Sequence, residues 1–391
     1  MDACAVNGKA LTEYDGMKKM SIYVTRSSMP DIKDYIREIT PIFESHILTN
    51  MGPVYKRFQH QLIDYLGVKN LSLFVNGHMA LEMAIHALGL KEKGEALGGG
   101  EVITTPFTFV STTHAISRNN LKPVFCDIKA SDYTMDPDRI EELITDKTVA
   151  IIPVHVYGNV CDVEGIQKIA DRHGLKVIYD AAHSFGVKYE GIGIGNFGDA
   201  SMFSFHATKV FNTIEGGAVA FKDGALRRPL HELKNFGIHN EEEISAIGAN
   251  AKLDEFRAAM GICNLKRIDE CIDARKKVYE RYVERLKDYA GIRLCAVQAD
   301  VTANYGYFPV CFNVQQCGKT RDEIYTALKS HDIFARKYFY PAINDLPCYR
   351  DCAGPETPIA HDVSMNVLTL PIYEGLPMEE VDRICDIILQ L

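Results

Sequence analysis

The chain has 391 residues, enough for two domains of ordinary size. Hydrophobic residues make up 47% and charged residues 24%, which is typical of soluble globular proteins and excludes a disordered or fibrous chain. The net charge of −9 disfavours nucleic acid or an anionic membrane surface as a partner. No apolar run is long enough to span a bilayer, and the N-terminus lacks the apolar core of a secretory signal.

The 11 cysteines are scattered from Cys4 to Cys385, without a C-x-x-C pair and without a histidine at metal-ligand spacing. This pattern favours reduced thiols in a cytoplasmic protein that holds no metal. A zinc site or a disulfide framework is the alternative.

Short apolar runs alternate with helical patterns through the first two thirds of the chain. Asp162 caps one expected helix, Val163–His173, which Gly174 closes, and Asp136 with Pro137 opens another. Such alternation predicts an α/β domain with a mostly parallel sheet, whose ligands bind at the carboxyl ends of the strands. The seven expected strands are Leu71–Val75, Val102–Thr105, Pro123–Ile128, Val149–Val154, Lys176–Asp180, Ala200–Phe205 and Gly217–Phe221.

The pattern changes after about Gly261, where longer amphipathic helices surround a single strand-like run, Tyr305–Val314. We therefore expect an N-terminal extension over 1–20, a large domain over 21–265 and a small α+β domain over 266–391. Residues before Thr40 are a further candidate for the small domain. The helices expected there are Ile268–Tyr289, Arg321–Ser330 and Glu379–Leu391.

The run Gly193–Gly198 matches the dinucleotide pattern G-x-G-x-x-G letter by letter. That function requires the glycines to follow a strand and to open a helix. Here a strand-like run follows them instead, so the pattern favours a turn or hairpin over a nucleotide-phosphate loop.

Two motifs follow the first two expected strands. In Asn76–Leu81 a strand leads into a helix, and the free N–H groups at the helix start predict an anion site. Gly77 has no side chain, so it lets the anion come close to the backbone. Thr105–Ser111 places aromatic rings where a flat ligand can stack. The alternative for Asn76–Leu81 is a plain turn, and the alternative for Thr105–Ser111 is ordinary core packing.

Two later strands end in side chains that can carry charge. Asp180 ends an apolar strand, where a buried carboxylate needs a partner such as a cationic ring nitrogen. Lys209 lies just beyond another buried strand, where desolvation lowers the pKa of an amine and frees it as a nucleophile. The alternatives are a structural carboxylate or a helix cap for Asp180, and an exposed surface lysine for Lys209.

An anion site, a stacking ring, a carboxylate and an amine at neighbouring strand ends together predict a pocket for pyridoxal phosphate. In such a pocket the lysine forms a Schiff base. The carboxylate partners the pyridinium nitrogen, so that the ring acts as an electron sink.

The chain resembles the DegT/DnrJ/StrS family of sugar-nucleotide aminotransferases over nearly its whole length after about Met20. The resemblance rests on Gly100–Pro106, Pro153–Gly158 and Ser204–Lys209. Phe205–Gly217 is most similar to enzymes that aminate C4 of dTDP-4-keto-6-deoxyglucose. The resemblance implies the type I, aspartate aminotransferase-like fold, with a seven-stranded mostly parallel sheet. It also implies a homodimer with shared active sites.

The resemblance assigns the contacts to the cofactor ring position by position. It implies that Lys209 forms the Schiff base and later moves the proton, and that Asp180 contacts the pyridine nitrogen. His183, where relatives often have glutamine, is implied to lie near the ring hydroxyl, and Phe109 to stack on the ring. Some relatives replace the lysine with histidine and become dehydratases, so Lys209 favours transamination.

The phosphate and the substrate are assigned in the same way. The residues implied at the phosphate are Gly77, the N–H groups of His78 and Met79, the hydroxyl of Ser204 and, from the other subunit, Asn235. Tyr338 and Tyr340 are implied to line the sugar-nucleotide side. Many relatives have threonine in place of His78, so a side-chain contact from that position is in doubt.

The resulting expectation is an aminotransferase that moves an amino group from L-glutamate to a keto-sugar nucleotide, at C4 of a dTDP-linked sugar. C3 amination, or a UDP-linked substrate, is the alternative within the same chemistry. A nicotinamide oxidoreductase and a non-catalytic sensor are the rivals from other classes. Lys209 and Asp180 argue against both.

Overall fold

The computed structural model describes residues 21–352 and 354–391. The expected extension over 1–20 therefore lies outside the described residues. Within these two ranges, no helix is long and apolar enough to cross a membrane.

A seven-stranded sheet organises the larger part of the molecule, as the sequence predicts. The strands in chain order are β1 (Leu71–Phe74), β2 (Glu101–Thr104), β3 (Lys122–Phe125), β4 (Thr148–Ile151), β5 (Lys176–Asp180), β6 (Ala200–Ser204) and β7 (Gly217–Phe221). Their spatial order is β1-β7-β6-β5-β4-β2-β3. Only β7 is antiparallel to its neighbours, so the other six end at the same edge of the sheet.

Both faces of the sheet are buried, which explains why its strands are continuous apolar runs. In β5, Val177 and Tyr179 belong to the core on one face, whereas Ile178 belongs to the core on the other. Alternate side chains of a strand point to opposite faces, so each strand contributes to both cores. The helices over 21–265 are Ile32–Ser45, Pro53–Leu66, Gly77–Ala87, Leu90–Ala96, Ser111–Arg118, Val163–His173, Arg227–Leu233 and Glu255–Leu265.

The C-terminal part has a separate core around a three-stranded antiparallel sheet of Ile292–Leu294, Phe308–Phe312 and Val367–Leu370. Its helices are Ile268–Leu286, Val314–Cys317, Arg321–Ser330, Pro358–Asn366 and Met378–Leu389. The short strand Ile22–Tyr23 pairs with Ile333–Phe334 of this part, and Ile22 lies in its core. The first described residues thus pack with the C-terminal part, while the boundary near residue 265 stays a prediction.

Three local predictions have clear outcomes. Val163–His173 is a helix capped by Asp162 and closed by Gly174 at φ 62°, as expected. The glycine run does not open a helix: Lys188–Tyr189 pairs with Ile192–Gly193 as a hairpin, and a short 3₁₀ turn over Ile194–Asn196 follows it.

The α-helix expected after Asp136 is wrong, because the segment forms two 3₁₀ turns, Pro137–Arg139 and Glu141–Leu143. Ile140 and Leu143 are both buried and lie three residues apart. The N–H of Ile140 donates to the carbonyl of Pro137 and the N–H of Ile144 to that of Glu141, which in each case is the i to i+3 pattern of a 3₁₀ turn.

Candidate active site

The strand ends that carry the predicted site residues meet at one edge of the central sheet. β1 leads into Gly77, β2 into Phe109, β5 ends at Asp180 and β6 ends at Ser204. These four strands are parallel to one another, so their carboxyl ends face the same crevice, where open α/β sheets bind their ligands.

A tight backbone cradle lies where the helix Gly77–Ala87 begins. A Cβ on Gly77 would lie 2.9 Å from the Cβ of Ser204, and one on Gly217 would lie 2.6 Å from the backbone of Asn76 and Gly77. The expected reason for Gly77 was the approach of an anion. The structure adds a second reason, since the helix start, the end of β6 and the start of β7 are packed against each other without room for a side chain.

Two of the predicted phosphate donors at this helix start differ in their availability. The N–H of Met79 already donates to the Oδ1 of Asn76 at 2.8 Å, as in an N-cap. Gly77 and His78 precede it in the first turn, where N–H groups have no carbonyl partner inside the helix. The helix start therefore presents the N–H groups of Gly77 and His78, together with the nearby Ser204 hydroxyl, to an anion.

The imidazole of His78 turns away to polar partners on neighbouring helical residues. Its Nδ1 lies 2.9 Å from the Oγ of Ser111, and its Nε2 lies 3.6 Å from Glu82. Burial lowers the pKa of His78. The doubt about a side-chain contact from position 78 to the phosphate is therefore supported by its geometry.

Asp180 lies at the end of β5 and is 4% exposed. The Thr112 hydroxyl donates to Oδ2 at 2.7 Å, and the Ala182 N–H donates to Oδ1 at 3.0 Å. Burial raises the pKa of Asp180, while these two donors and the charge of Lys209 oppose that shift. Each oxygen keeps a lone pair, so the carboxylate can accept a further N–H donor from a ring nitrogen.

His183 is a buried neutral imidazole with a defined tautomer. Its Nδ1 accepts the backbone N–H of Tyr157 at 3.0 Å, so the ring proton lies on Nε2. Burial lowers the pKa of His183 well below its usual value, and the charge of Lys209 adds to that effect. The Nε2–H group is thus a fixed donor, suited to the oxygen of a ring hydroxyl.

Lys209 lies in the loop after β6 and is half-buried. Its Nζ is 3.2 Å from the hydroxyl of Tyr307, a residue of the C-terminal part. The Tyr307 ring is also 4.5 Å from the ring of His183, measured between centroids. Lys209, Asp180 and His183 therefore lie close enough to act on one small molecule, and the Lys209 amine donates a hydrogen bond to Tyr307.

A groove of about 440 Å³ joins the Phe109 loop to the segment 336–341. Phe109, Tyr338 and Tyr340 all line it, and Arg336 and Lys337 line it as well. We call this feature the aromatic groove. The structure thus brings the predicted ring-stacking residue and both predicted substrate residues to a single surface.

Asn235 lies apart from these groups. Its side-chain oxygen accepts a hydrogen bond from Lys252 at 2.8 Å, and its backbone forms a bridge with Asn250. Its expected role, at the phosphate of the other subunit, stays a prediction.

Three functional residues escaped the sequence analysis: Thr112, Tyr157 and Tyr307. Thr112 stands one residue beyond the Thr105–Ser111 motif, so an extension of that motif into the following helix would have included it. Tyr157 acts through its backbone N–H and lies in the run Pro153–Gly158, which carries the resemblance but assigned no role to it. Tyr307 comes from the C-terminal part and carries no local signal.

The residues present fit pyridoxal phosphate. The helix start suits its phosphate, Asp180 suits its ring nitrogen, the Nε2–H of His183 suits its ring oxygen, and Lys209 suits its aldehyde carbon. The described cysteines are all free thiols. No cluster of three or more metal-ligating side chains occurs in the described part of the chain.

Comparison with known proteins agrees with this geometry. Residues 30–389 match the DegT/DnrJ/EryC1/StrS aminotransferase family. The chain is 40% identical over 371 residues to a dTDP-4-amino-4,6-dideoxy-D-glucose transaminase of Shigella dysenteriae, covering 95% of this chain and 99% of that protein. It is also 40% identical over 379 residues to the Escherichia coli protein of the same name, with the same coverage of both chains.

A solved structure shares the fold over almost the whole chain. The structure of DesI in the presence of its TDP-sugar product superposes with a TM-score of 0.89 at 32% identity, covering 95% of this chain and 93% of that one. The protein therefore belongs to the DegT/DnrJ/EryC1/StrS family and is a pyridoxal phosphate-dependent aminotransferase.

Proposed function

We propose that this aminotransferase moves an amino group from L-glutamate to C4 of dTDP-4-keto-6-deoxyglucose, giving dTDP-4-amino-4,6-dideoxyglucose and 2-oxoglutarate. The observation that carries the proposal is the 40% identity, over almost the full length of both chains, to transaminases named for that sugar nucleotide. The aromatic groove beside Phe109 supports a substrate that extends beyond the cofactor.

The chain's own groups account for both halves of such a reaction. Pyridoxal phosphate, when bound, supplies an electron sink that stabilises negative charge at the carbon next to the nitrogen. Asp180 holds a proton at the ring nitrogen, which keeps that sink effective. The Lys209 amine takes a proton from one carbon and returns it to another, and Tyr307 lies within hydrogen-bond distance of this amine.

We also propose that the enzyme is a homodimer in which Asn235 reaches the phosphate site of the partner subunit. In the segment that follows Asn235, Phe236, Ile244 and Ile247 are 50%, 71% and 89% exposed. Large apolar side chains so exposed are typical of a protein–protein interface, so a second copy of the chain is suited to bury them.

The free thiols of the described residues are consistent with the cytoplasm.

Mixed subunits test the shared site. An Asn235→Ala subunit keeps its own Lys209, and a Lys209→Ala subunit supplies an intact Asn235. If the sites are shared, mixing the two inactive variants restores activity in one of the two sites of each mixed dimer. No recovery after verified subunit exchange would contradict the shared site.

A panel of keto-sugar nucleotides tests the substrate. We expect turnover with glutamate to be fastest with dTDP-4-keto-6-deoxyglucose, and slower with a dTDP-3-keto-6-deoxyhexose or a UDP-linked 4-ketosugar. Faster amination of either of the latter would replace the proposed substrate while leaving the aminotransferase in place.

A further inference from the structure

A cavity of about 600 Å³ lies beside the edge strand β1, between the helices Pro53–Leu66 and Arg227–Leu233. We call it the basic pocket, because the described residues that line it include no aspartate or glutamate. It shares no residue with the aromatic groove, and none of the residues assigned to the cofactor lines it. Six of its side chains carry positive charge or gain it on protonation: Lys56, His60, Lys69, Arg227, His231 and Lys234.

The most buried of these six groups is the ammonium of Lys234, a residue that is 2% exposed. Its Nζ donates to the hydroxyls of Tyr55 and Ser72, each at 2.9 Å, and to the carbonyl of Leu73 at 3.2 Å. All three acceptors are neutral, and burial lowers the pKa of Lys234 to about 7. A buried charge without an opposite charge is costly, so a bound anion would stabilise this ammonium.

Two hydroxyls connect the buried charge to the basic pocket. Tyr55 and Ser72 both line the pocket, and each hydroxyl oxygen accepts a hydrogen bond from Lys234. Among the described residues, neither hydroxyl has an acceptor for its own hydrogen. A hydroxyl that accepts a hydrogen bond can still donate one, so both are available to an anion in the pocket.

The exposed cations of the basic pocket lack acidic partners. In the part of the chain that the structure describes, Lys56, Lys69 and Arg227 have no carboxylate within 4 Å. The guanidinium of Arg227 donates to the Oδ1 of Asn70 at 2.8 Å through one nitrogen, which leaves its other N–H groups for a ligand. These side chains therefore add their charge to that of the buried ammonium.

Structural roles account for only part of this arrangement. Lys234 caps the edge strand by donating to the Leu73 carbonyl, but that role requires no further cations. Glu232, in the helix that precedes Lys234, does not neutralise them, because its carboxylate is held by Arg228 and His239. A concentration of positive charge on a chain of net charge −9 is better explained by an anionic ligand.

We propose that the basic pocket binds a small anion that carries a diphosphate, with Lys56, Lys69 and Arg227 at the phosphate oxygens. The hydroxyls above Lys234 donate to the same group. A phosphate carries about two negative charges near neutral pH, so a diphosphate matches several cations where one carboxylate matches a single cation. The guanidinium fork of Arg227 suits phosphate oxygens in pairs. Because the pocket is separate from the cofactor and substrate residues, its ligand does not depend on the proposed reaction.

The test is a calorimetric titration of the cofactor-loaded enzyme with pyrophosphate, in a buffer without phosphate. Lys69→Gln and Arg227→Gln should each weaken binding about tenfold, and the double variant should lose more. Lys222→Gln is the matched control, since it removes the same charge from a nearby exposed lysine that does not line the pocket. It should bind pyrophosphate as tightly as the unsubstituted enzyme.

Thermal unfolding gives a second readout. Pyrophosphate should raise the unfolding temperature of the unsubstituted enzyme and of Lys222→Gln, and raise it less in the double variant. ADP separates two sources of the diphosphate: tighter binding than pyrophosphate supports a nucleotide ligand, and equal or weaker binding supports inorganic pyrophosphate. Absence of pyrophosphate binding to the unsubstituted enzyme would overturn the proposal. Equal affinity in the correctly folded double variant would also overturn it, because the anion would then bind outside the basic pocket.

Discussion

The two sides of the active site are built differently. On one side, Thr112, Asp180 and His183 are buried and joined to their neighbours by hydrogen bonds of 2.7 to 3.0 Å. We call these three residues the buried wall. On the other side, the aromatic groove presents Phe109 and Tyr340 about half exposed. One side thus offers pre-arranged polar groups for a cofactor, whereas the other is an open surface suited to a larger ligand.

The comparison predicts that changes at the buried wall or at Lys209 impair both half-reactions, while changes at the substrate-side tyrosines of the groove, Tyr338 and Tyr340, impair one. The predictions below are ordered from the largest expected effect to the smallest.

Replacing Lys209 with alanine should abolish turnover. The variant loses the amine that moves the proton, a loss of roughly 10⁴-fold or more. Steady-state assays measure the rate, and thermal unfolding monitors the fold. Lys168→Ala, at an exposed lysine of the helix Val163–His173, is the control and should retain full activity. An active Lys209→Ala enzyme would refute the assignment of the catalytic residue.

Replacing Asp180 with asparagine should lower the rates of both half-reactions by roughly 10²- to 10³-fold. Asparagine keeps the size of the side chain and loses the negative charge that holds a proton at the ring nitrogen. Stopped-flow measurements with glutamate, and separately with the keto-sugar nucleotide, give the two rates. A loss in only one of the two half-reaction rates would contradict the distinction between the buried wall and the groove.

Replacing Tyr307 with phenylalanine should lower kcat by about tenfold, which corresponds to one hydrogen bond to the Lys209 amine. The affinity for dTDP should stay the same, because Tyr307 does not line the aromatic groove. Tyr305→Phe, two residues earlier and without a contact to Lys209, is the control. Equal losses in the two variants would mean that the effect is structural and not due to the hydroxyl.

Replacing Thr112 with valine should move the acidic limb of the pH–rate profile to higher pH. The Thr112 hydroxyl stabilises the ionised Asp180 and lowers its pKa, so its removal raises that pKa further. We expect a shift of about half a pH unit to one unit, with little change above neutral pH. The control is Thr113→Val, because the buried Thr113 hydroxyl has no hydrogen-bond partner among the described residues. A downward shift in Thr112→Val would contradict this account of Asp180.

The sequence predicted best what depends on neighbouring residues along the chain. The seven strands follow from apolar runs buried on both faces, and Asp180 and Lys209 follow from their places at or just after strand ends. The turns after Asp136 were mispredicted because Asp-Pro marks the start of an α-helix and of a 3₁₀ helix alike.

Contacts between distant segments could not be predicted in the same way. Tyr307 reaches Lys209 from 98 residues further along the chain. Arg336 and Tyr340 join Phe109 only because the second core packs against the edge of the central sheet. No pattern of residue types at fixed spacing encodes such contacts.

The most direct test of the central claim is the visible spectrum of the protein with pyridoxal phosphate, before and after L-glutamate and then after dTDP-4-keto-6-deoxyglucose. The account predicts a yellow band that disappears with glutamate, returns with the keto-sugar nucleotide and is absent from Lys209→Ala. A band that ignores glutamate would contradict the proposed amino donor. A band that glutamate removes and the keto sugar does not restore would contradict the proposed acceptor.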